Sequence, residues 1–223
     1  MTPGAKTSHP TLWSRFATSF LAGCVAALTM TTGVCGAETN LPFQPGERLT
    51  FQVRWAFIPA AEAVLEIHPM ETVDGCRAHH FSMTTKTREF IDLFYKVRDR
   101  IDAYADETMT RSVLYRKRQE GKRKRDIAVT FDWTRQEALY SNFGEAWKPL
   151  ALLPGSFDPL SVFYAFRTFA LKQGLVLEVP VTDGKRCVRG RARVVRKETI
   201  QLKGVPYETF LVEPDLGQVG GVF

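Results

Sequence analysis

The chain has 223 residues, 30 of them Lys or Arg and 24 Asp or Glu, for a formal net charge of +6. That excess is modest, so its distribution decides more than its size, and the length suits one domain with a real core. Four cysteines, two of them within the first 35 residues, exclude a scaffold stapled by several disulfides.

The N-terminus reads as a secretory signal. Lys6 and Arg15 make a positive lead, no acid occurs before Glu38, and Phe16–Met30 is apolar or small without charge. Thr31, Thr32 and Gly33 break that run. Small residues at Cys35 and Ala37 fit a small-x-small cleavage site, which predicts a signal over residues 1–37 and a mature start at Glu38. A membrane-spanning helix wants about 20 apolar residues, more than this run offers. Leu21-Ala22-Gly23-Cys24 has the form of a lipobox and supplies a second reading, a lipoprotein anchored at Cys24. Against it, only eight residues separate Arg15 from Cys24, and the residues after Cys24 are apolar where a polar tether is usual. Cleavage removes Lys6 and Arg15 and no acid, so residues 38–223 carry +4 as a single periplasmic domain. In that oxidising compartment Cys76 and Cys187, 111 residues apart, are either one disulfide or two small buried hydrophobes. A bridge would be worth about 4 to 5 kcal/mol in the entropic account.

Beyond a Pro-rich lead, Leu49, Phe51, Val53, Trp55 and Phe57 alternate with polar residues, the period of a half-buried strand. Ala63, Leu65 and Ile67 repeat the pattern, Asp74-Gly75 marks a tight turn, and Phe81, Met83 and Thr85 begin the next alternation. Strands follow over 97–104, 112–119, 123–133 and 137–141, with Glu120-Gly121 between two of them. One segment departs from this rhythm. Asp158 suits an N-cap, Pro159 the first turn and Gly174 the position past the end, predicting an apolar helix over about 158–173. Strands return over 175–181, 186–196 and 205–212, with turns at Asp183-Gly184 and Lys203-Gly204. The fold class is therefore mainly β, an antiparallel meander forming a curved sheet or open half-barrel around one helix. The helix either fills the concave side or moves aside, in which case Phe163, Phe166 and Phe169 line an apolar groove.

No G-x-S-x-G, H-E-x-x-H, Walker loop or C-x-x-C is present, so no catalytic residue, cofactor or metal is assigned. His79 and His80 are adjacent and point to opposite faces of a strand, which prevents them from chelating one metal. Asp99, Asp102, Asp106 and Glu107 lack calcium-loop spacing and read as a solvated turn or as partners for Arg98 and Arg100. The most distinctive feature is a basic hairpin, Arg116, Lys117 and Arg118 before Glu120-Gly121, and Lys122, Arg123, Lys124 and Arg125 after it. Arg189, Arg191 and Arg193 share one face of a later strand. Such clusters attract phosphates. Export excludes nucleic acid and leaves lipid head groups, lipopolysaccharide, acidic glycans or a membrane surface as the anions within reach. The other reading is a solvated hairpin protected from edge pairing by its charge.

Several stretches together resemble a family: Phe43-Gln44-Pro45-Gly46-Glu47-Arg48-Leu49-Thr50-Phe51 with Trp55 and Ala60-Ala61-Glu62-Ala63, and the basic segment before Asp126. Phe157-Asp158-Pro159-Leu160-Ser161 with Tyr164 and Arg167, and Asp183-Gly184-Lys185, complete the set. In this order they resemble the exported bacterial proteins grouped as domain of unknown function 3108. The resemblance implies a periplasmic, β-rich fold and no assigned activity. Proteins of that family usually run on past the glycine-rich stretch. The ending Gly220-Gly221-Val222-Phe223 therefore predicts a truncated chain with an unpaired strand edge near 205–212 or 213–223.

Three functions follow as expectations. The first is a non-enzymatic module that binds an anionic or lipidic envelope component. The second is an accessory protein that docks an envelope protein through the same surface. The third is an enzyme, which would require His79 or His80 to meet an acid within hydrogen-bonding range.

Overall fold

The computed structural model describes residues 41–55, 57–121 and 124–215. The signal with its Cys24 alternative, Lys122, Arg123 and the closing stretch Gly217–Phe223 lie outside the described residues. Eight strands form a meander: β1 (Arg48–Trp55), β2 (Ile58–Val73), β3 (Cys76–Thr87), β4 (Val97–Asp106), β5 (Ser112–Gly121), β6 (Arg125–Asp132), β7 (Glu137–Asn142) and β8 (Glu145–Ala146). Each is antiparallel to the next, β9 (Leu150–Ala151) also pairs with β7, and the sheet does not close into a barrel. Tight turns make the meander possible. Between β2 and β3, Asp74 and Gly75 both take positive φ, at 49° and 79°, the twist that suits a two-residue hairpin.

Period-two alternation decides the core. Leu65 and Ile67, Phe81 and Met83, Ile101 and Ala103, Tyr115, and Ile127 and Val129 lie on one face of successive strands and are buried. Against that face packs the helix α2 (Ser161–Phe166), whose Tyr164 ring stacks on Phe81 with centroids 4.0 Å apart. Phe43 meets both rings edge-on. Arg167, just past the helix, ion-pairs with Glu47 and donates to the Pro42 carbonyl, which ties the N-terminal lead to the helix.

Two expectations change. The helix spans six residues rather than about sixteen. It stops because Arg167, Thr168 and Phe169 donate their amides three residues back, and the Thr168 hydroxyl takes the Ala165 carbonyl at 2.7 Å. Gly174 then serves the sheet rather than the helix, donating to the Val194 carbonyl. The last strands also form a sheet of their own, β10 (Val176–Thr182), β11 (Cys187–Leu202) and β12 (Val205–Asp215), instead of extending the first. The long passage from β9 through α2 carries the chain away from the first sheet's edge. A parallel bridge from Phe157 to Val181 joins that passage to β10.

That junction is fixed by buried polar groups. The Ser112 hydroxyl donates to Asp158 Oδ2 and accepts from the Asp158 amide, while Asp158 Oδ1 accepts from the amides of Leu160 and Ser161. The Ser112 amide donates to the Ser156 carbonyl, and its own carbonyl accepts from Trp133 Nε1. Asp158 thus starts the helix as expected of a cap, and also anchors it to β5.

Candidate functional site

Among the described residues, the basic hairpin does not present its cations as one patch. Arg118 pairs across to Asp126 and Gln119 to Arg125, so side chains alternate between the two faces of the sheet. Arg116 and Arg118 stand on the face away from α2, beside Arg100, and are exposed. Lys117 points to the core side, where burial lowers its pKa. Lys124 and Arg125 are exposed at the turn. Arg189, Arg191 and Arg193 do share one face of β11, exposed and turned away from α2, with Arg191 bonded to Glu178 at 2.7 Å. The two arginine groups therefore belong to outward faces of different sheets.

The concave side is filled. Tyr164, Ala165 and Leu160 occupy it with Phe43 and Phe81, and Phe163 and Phe169 are exposed rather than lining an interior groove. Phe166 borders a crevice with Val162, Leu177 and Val179 whose volume is about 30 Å³. That is room for water-sized occupants and not for an acyl chain. Cys76 and Cys187 are both free: Cys76 is exposed at the β2–β3 turn, while Cys187 opens β11 with its thiol 3.4 Å from the Ser156 hydroxyl. The bridge left open by the sequence is not made: Cys76 stands at the β2–β3 turn of the large sheet and Cys187 at the start of β11 in the small one.

A different concentration of exposed residues appears at one end of the large sheet. In an antiparallel meander alternate turns fall at the same end, so the β1–β2, β3–β4, β5–β6 and β7–β8 turns are neighbours. The first carries Trp55 and Phe57, 73% and 95% exposed. The second holds the short helix α1 (Glu89–Asp92), followed by Leu93 and Phe94 at 83% and 84%. The third carries Lys124 and Arg125, and the fourth Phe143, 61% exposed at φ 50°. Backbone bonds hold these turns together. The Arg88 amide donates to the Ala60 carbonyl at 2.9 Å, Gly121 pairs with Val97, and the Phe143 amide donates to the Asp126 carbonyl at 2.8 Å. Gly121 is required where it stands: at φ +143° an added Cβ would lie 2.1 Å from the Lys96 carbonyl oxygen. The Asp92 carboxylate, paired with Arg98 and bonded to the Thr87 hydroxyl, fixes the second turn from beneath.

Sequence reading placed Trp55 and Phe57 on a half-buried strand face and did not single out Leu93, Phe94 or Phe143. Alternation identifies an apolar face but cannot tell whether anything covers it. Here β1 is an edge strand, and of its apolar residues Leu49 alone packs against the core.

His68 and His80 share the outward face, while His79 turns to the core side against Phe43 and lies 3.1 Å from the Glu107 carbonyl. His80 stacks between His68 and Tyr104, each ring centroid 4.4 Å away. Its Nδ1 lies 2.7 Å from Glu71 Oε1 and its Nε2 lies 3.0 Å from Asp102 Oδ1. Asp102 also accepts two bonds from Arg100, at 2.7 and 2.8 Å. Burial alone would raise the Asp102 carboxyl, but the bonds from His80 and Arg100 outweigh it and hold it well below the usual carboxylate range. Burial, then the neighbouring His80, lowers the pKa of His68, whose Nε2 is 2.8 Å from the Ser82 hydroxyl. The acid contact required of an enzyme is thus present at His80, yet both ring nitrogens are taken by the chain's own carboxylates. Ser82, whose hydroxyl bonds to the neighbouring His68, is fully buried. The remaining acids have partners of their own, with Asp99 accepting from Gln119 and Asp106 from Thr110 and Arg111. Among the described residues no group of three His, Cys, Asp or Glu side chains is placed to hold a metal ion.

The family model described as Protein of unknown function (DUF3108) matches residues 50–223. No curated protein and no solved structure matches the chain.

Proposed function

For a chain that belongs to the DUF3108 family, whose description states no activity, we propose a non-catalytic role as an exported module that binds a phosphate-bearing lipid of the cell envelope. In this reading residues 1–37 direct export to the periplasm and are removed, and residues 38–223 work as one β-rich domain. One observation carries the binding role. Arg116, Lys124, Arg125, Arg189 and Arg193 are exposed and make no ion pair among the described residues, whereas Arg98, Arg100, Arg118 and Arg167 are committed to carboxylates. Uncommitted guanidinium groups favour bidentate contact with phosphate. Export removes nucleic acid from the available partners and leaves lipid phosphates, whether of phospholipid or of lipopolysaccharide.

The test uses protein purified as the exporting cell processes it. Binding to phosphatidylglycerol vesicles and to lipopolysaccharide is measured at low and high salt. Affinity for at least one falls steeply as salt rises, and Arg116→Glu with Arg125→Glu weakens it at least tenfold without lowering the melting temperature. Wild-type protein that binds neither at low salt refutes the proposal. A cross-linked envelope protein lost on the same charge reversal, without lipid binding, would support the accessory-protein reading instead.

A further inference from the structure

We infer that the turn-bearing end of the large sheet is a membrane-contact surface. Trp55, Phe57, Phe94 and Phe143 enter the interfacial layer of an anionic phospholipid bilayer while Lys124 and Arg125 engage its head-group phosphates. This rests on the lipid-phosphate reading above and adds the place and mode of contact.

Four turns, fixed beside one another by the meander, bring apolar tips and an uncommitted cationic turn to a single end. Large aromatics this exposed are costly in water, and they are spread over three separate turns rather than around a groove, so a folded protein partner would need a separate socket at each turn. A bilayer interface needs none, because it deforms around each tip. Trp and Phe suit that layer, and a surface residing there is buried about 5–10 Å deep. The cations identify the sign of the surface. Lys124 precedes β6 and Arg125 opens it, Lys96 lies beside them and Arg88 starts the β3–β4 turn, all exposed and without an ion pair among the described residues. Near an anionic bilayer each such charge strengthens binding by roughly fivefold. Of the acids at this end, Asp92 is spent on Arg98 and Thr87, whereas Glu89 and Glu120 are exposed near the cations. The close approach of Gly121 to the Lys96 carbonyl and its pairing with Val97 set the cationic turn beside the apolar one.

The experiment compares processed wild-type protein with Trp55→Ser/Phe94→Ser, both substitutions at exposed tips, on vesicles of phosphatidylglycerol with phosphatidylethanolamine and on vesicles of phosphatidylcholine alone. Cosedimentation gives affinity. Quenching by brominated acyl chains, taken as the difference between wild type and Trp55→Phe, reports whether Trp55 reaches the acyl region. Expected are binding to the anionic vesicles, at least tenfold weaker binding to phosphatidylcholine, quenching of Trp55, and a tenfold or greater loss in the double variant at unchanged melting temperature. Salt-sensitive binding that survives Trp55→Ser/Phe94→Ser, with no quenching, overturns insertion and leaves the lipid-phosphate reading standing. Absence of binding to anionic vesicles together with retained binding of lipopolysaccharide has the same consequence. Absence of both removes the two together.

Discussion

Ser112 and Asp158 bond to each other twice across 46 residues of sequence, hydroxyl to carboxylate and amide to hydroxyl. Asp158 is fully buried, and burial pushes its carboxyl pKa up against the three donors that hold it. Substituting Asp158→Ala would strand the Ser112 hydroxyl and the amides of Leu160 and Ser161 in the interior. A loss of about 2 to 4 kcal/mol is expected, from unsatisfied donors plus a lost helix start. The urea midpoint measures it. Ser112→Ala should cost less, because the two helix amides keep their acceptor.

Tyr164 and Phe81 make the central stack between helix and sheet, both essentially inaccessible to water. Tyr164→Ala should destabilise by about 3 to 5 kcal/mol. Tyr164→Phe keeps the stacked ring and should stay within about 1 kcal/mol. Equal losses in the two variants would place the weight on the hydroxyl rather than on ring packing.

Gly121 sits at a φ that side chains rarely adopt, against the Lys96 carbonyl. Gly121→Ala must therefore shift the β5–β6 turn or the β3–β4 connection, at about 1 to 3 kcal/mol. Because the same contact positions the cationic turn beside Phe94, vesicle binding should weaken even at temperatures where the variant is fully folded. Circular dichroism and cosedimentation on one sample separate the two effects.

Stability should fall with acidification in two windows. His68 has a folded pKa below its unfolded value of 6.5, so the unfolded chain binds the extra proton and stability declines as pH drops below about 6.5. Asp102 is depressed in the folded protein, so its contribution is present above the ordinary carboxylate pKa and is lost as pH falls below about 4. Urea midpoints between pH 7.5 and 3 should show both slopes. His68→Gln should flatten the upper one and Asp102→Asn the lower. A wild-type profile flat from pH 7 to 5 would contradict the His68 assignment.

Much of this fold is legible in the order of residues alone. Alternation of period two, punctuated by Asp74-Gly75, Asp183-Gly184 and Lys203-Gly204, determines antiparallel strands and their faces, since a strand's side chains alternate whatever lies above it. Asp158 and Pro159 likewise announce a helix start. The family resemblance follows the same residues: Phe43, Glu47, Tyr164 and Arg167, distant in the chain, meet around one end of α2. Other features needed the third dimension. Local propensity did not reveal that the helix ends after Phe166, because the stop depends on amides and a hydroxyl turning back on the last carbonyls. The division into two sheets depends on the junction at Ser112, Phe157 and Asp158, a contact between segments that are remote in sequence. The basic run of residues 116–125 could be counted but not resolved into outward and inward cations until register set the face of each. Burial is the clearest case. Trp55 and Phe57 alternate as well as any core strand, and only their position on an edge and a turn, with nothing among the described residues packed over them, leaves them in contact with solvent.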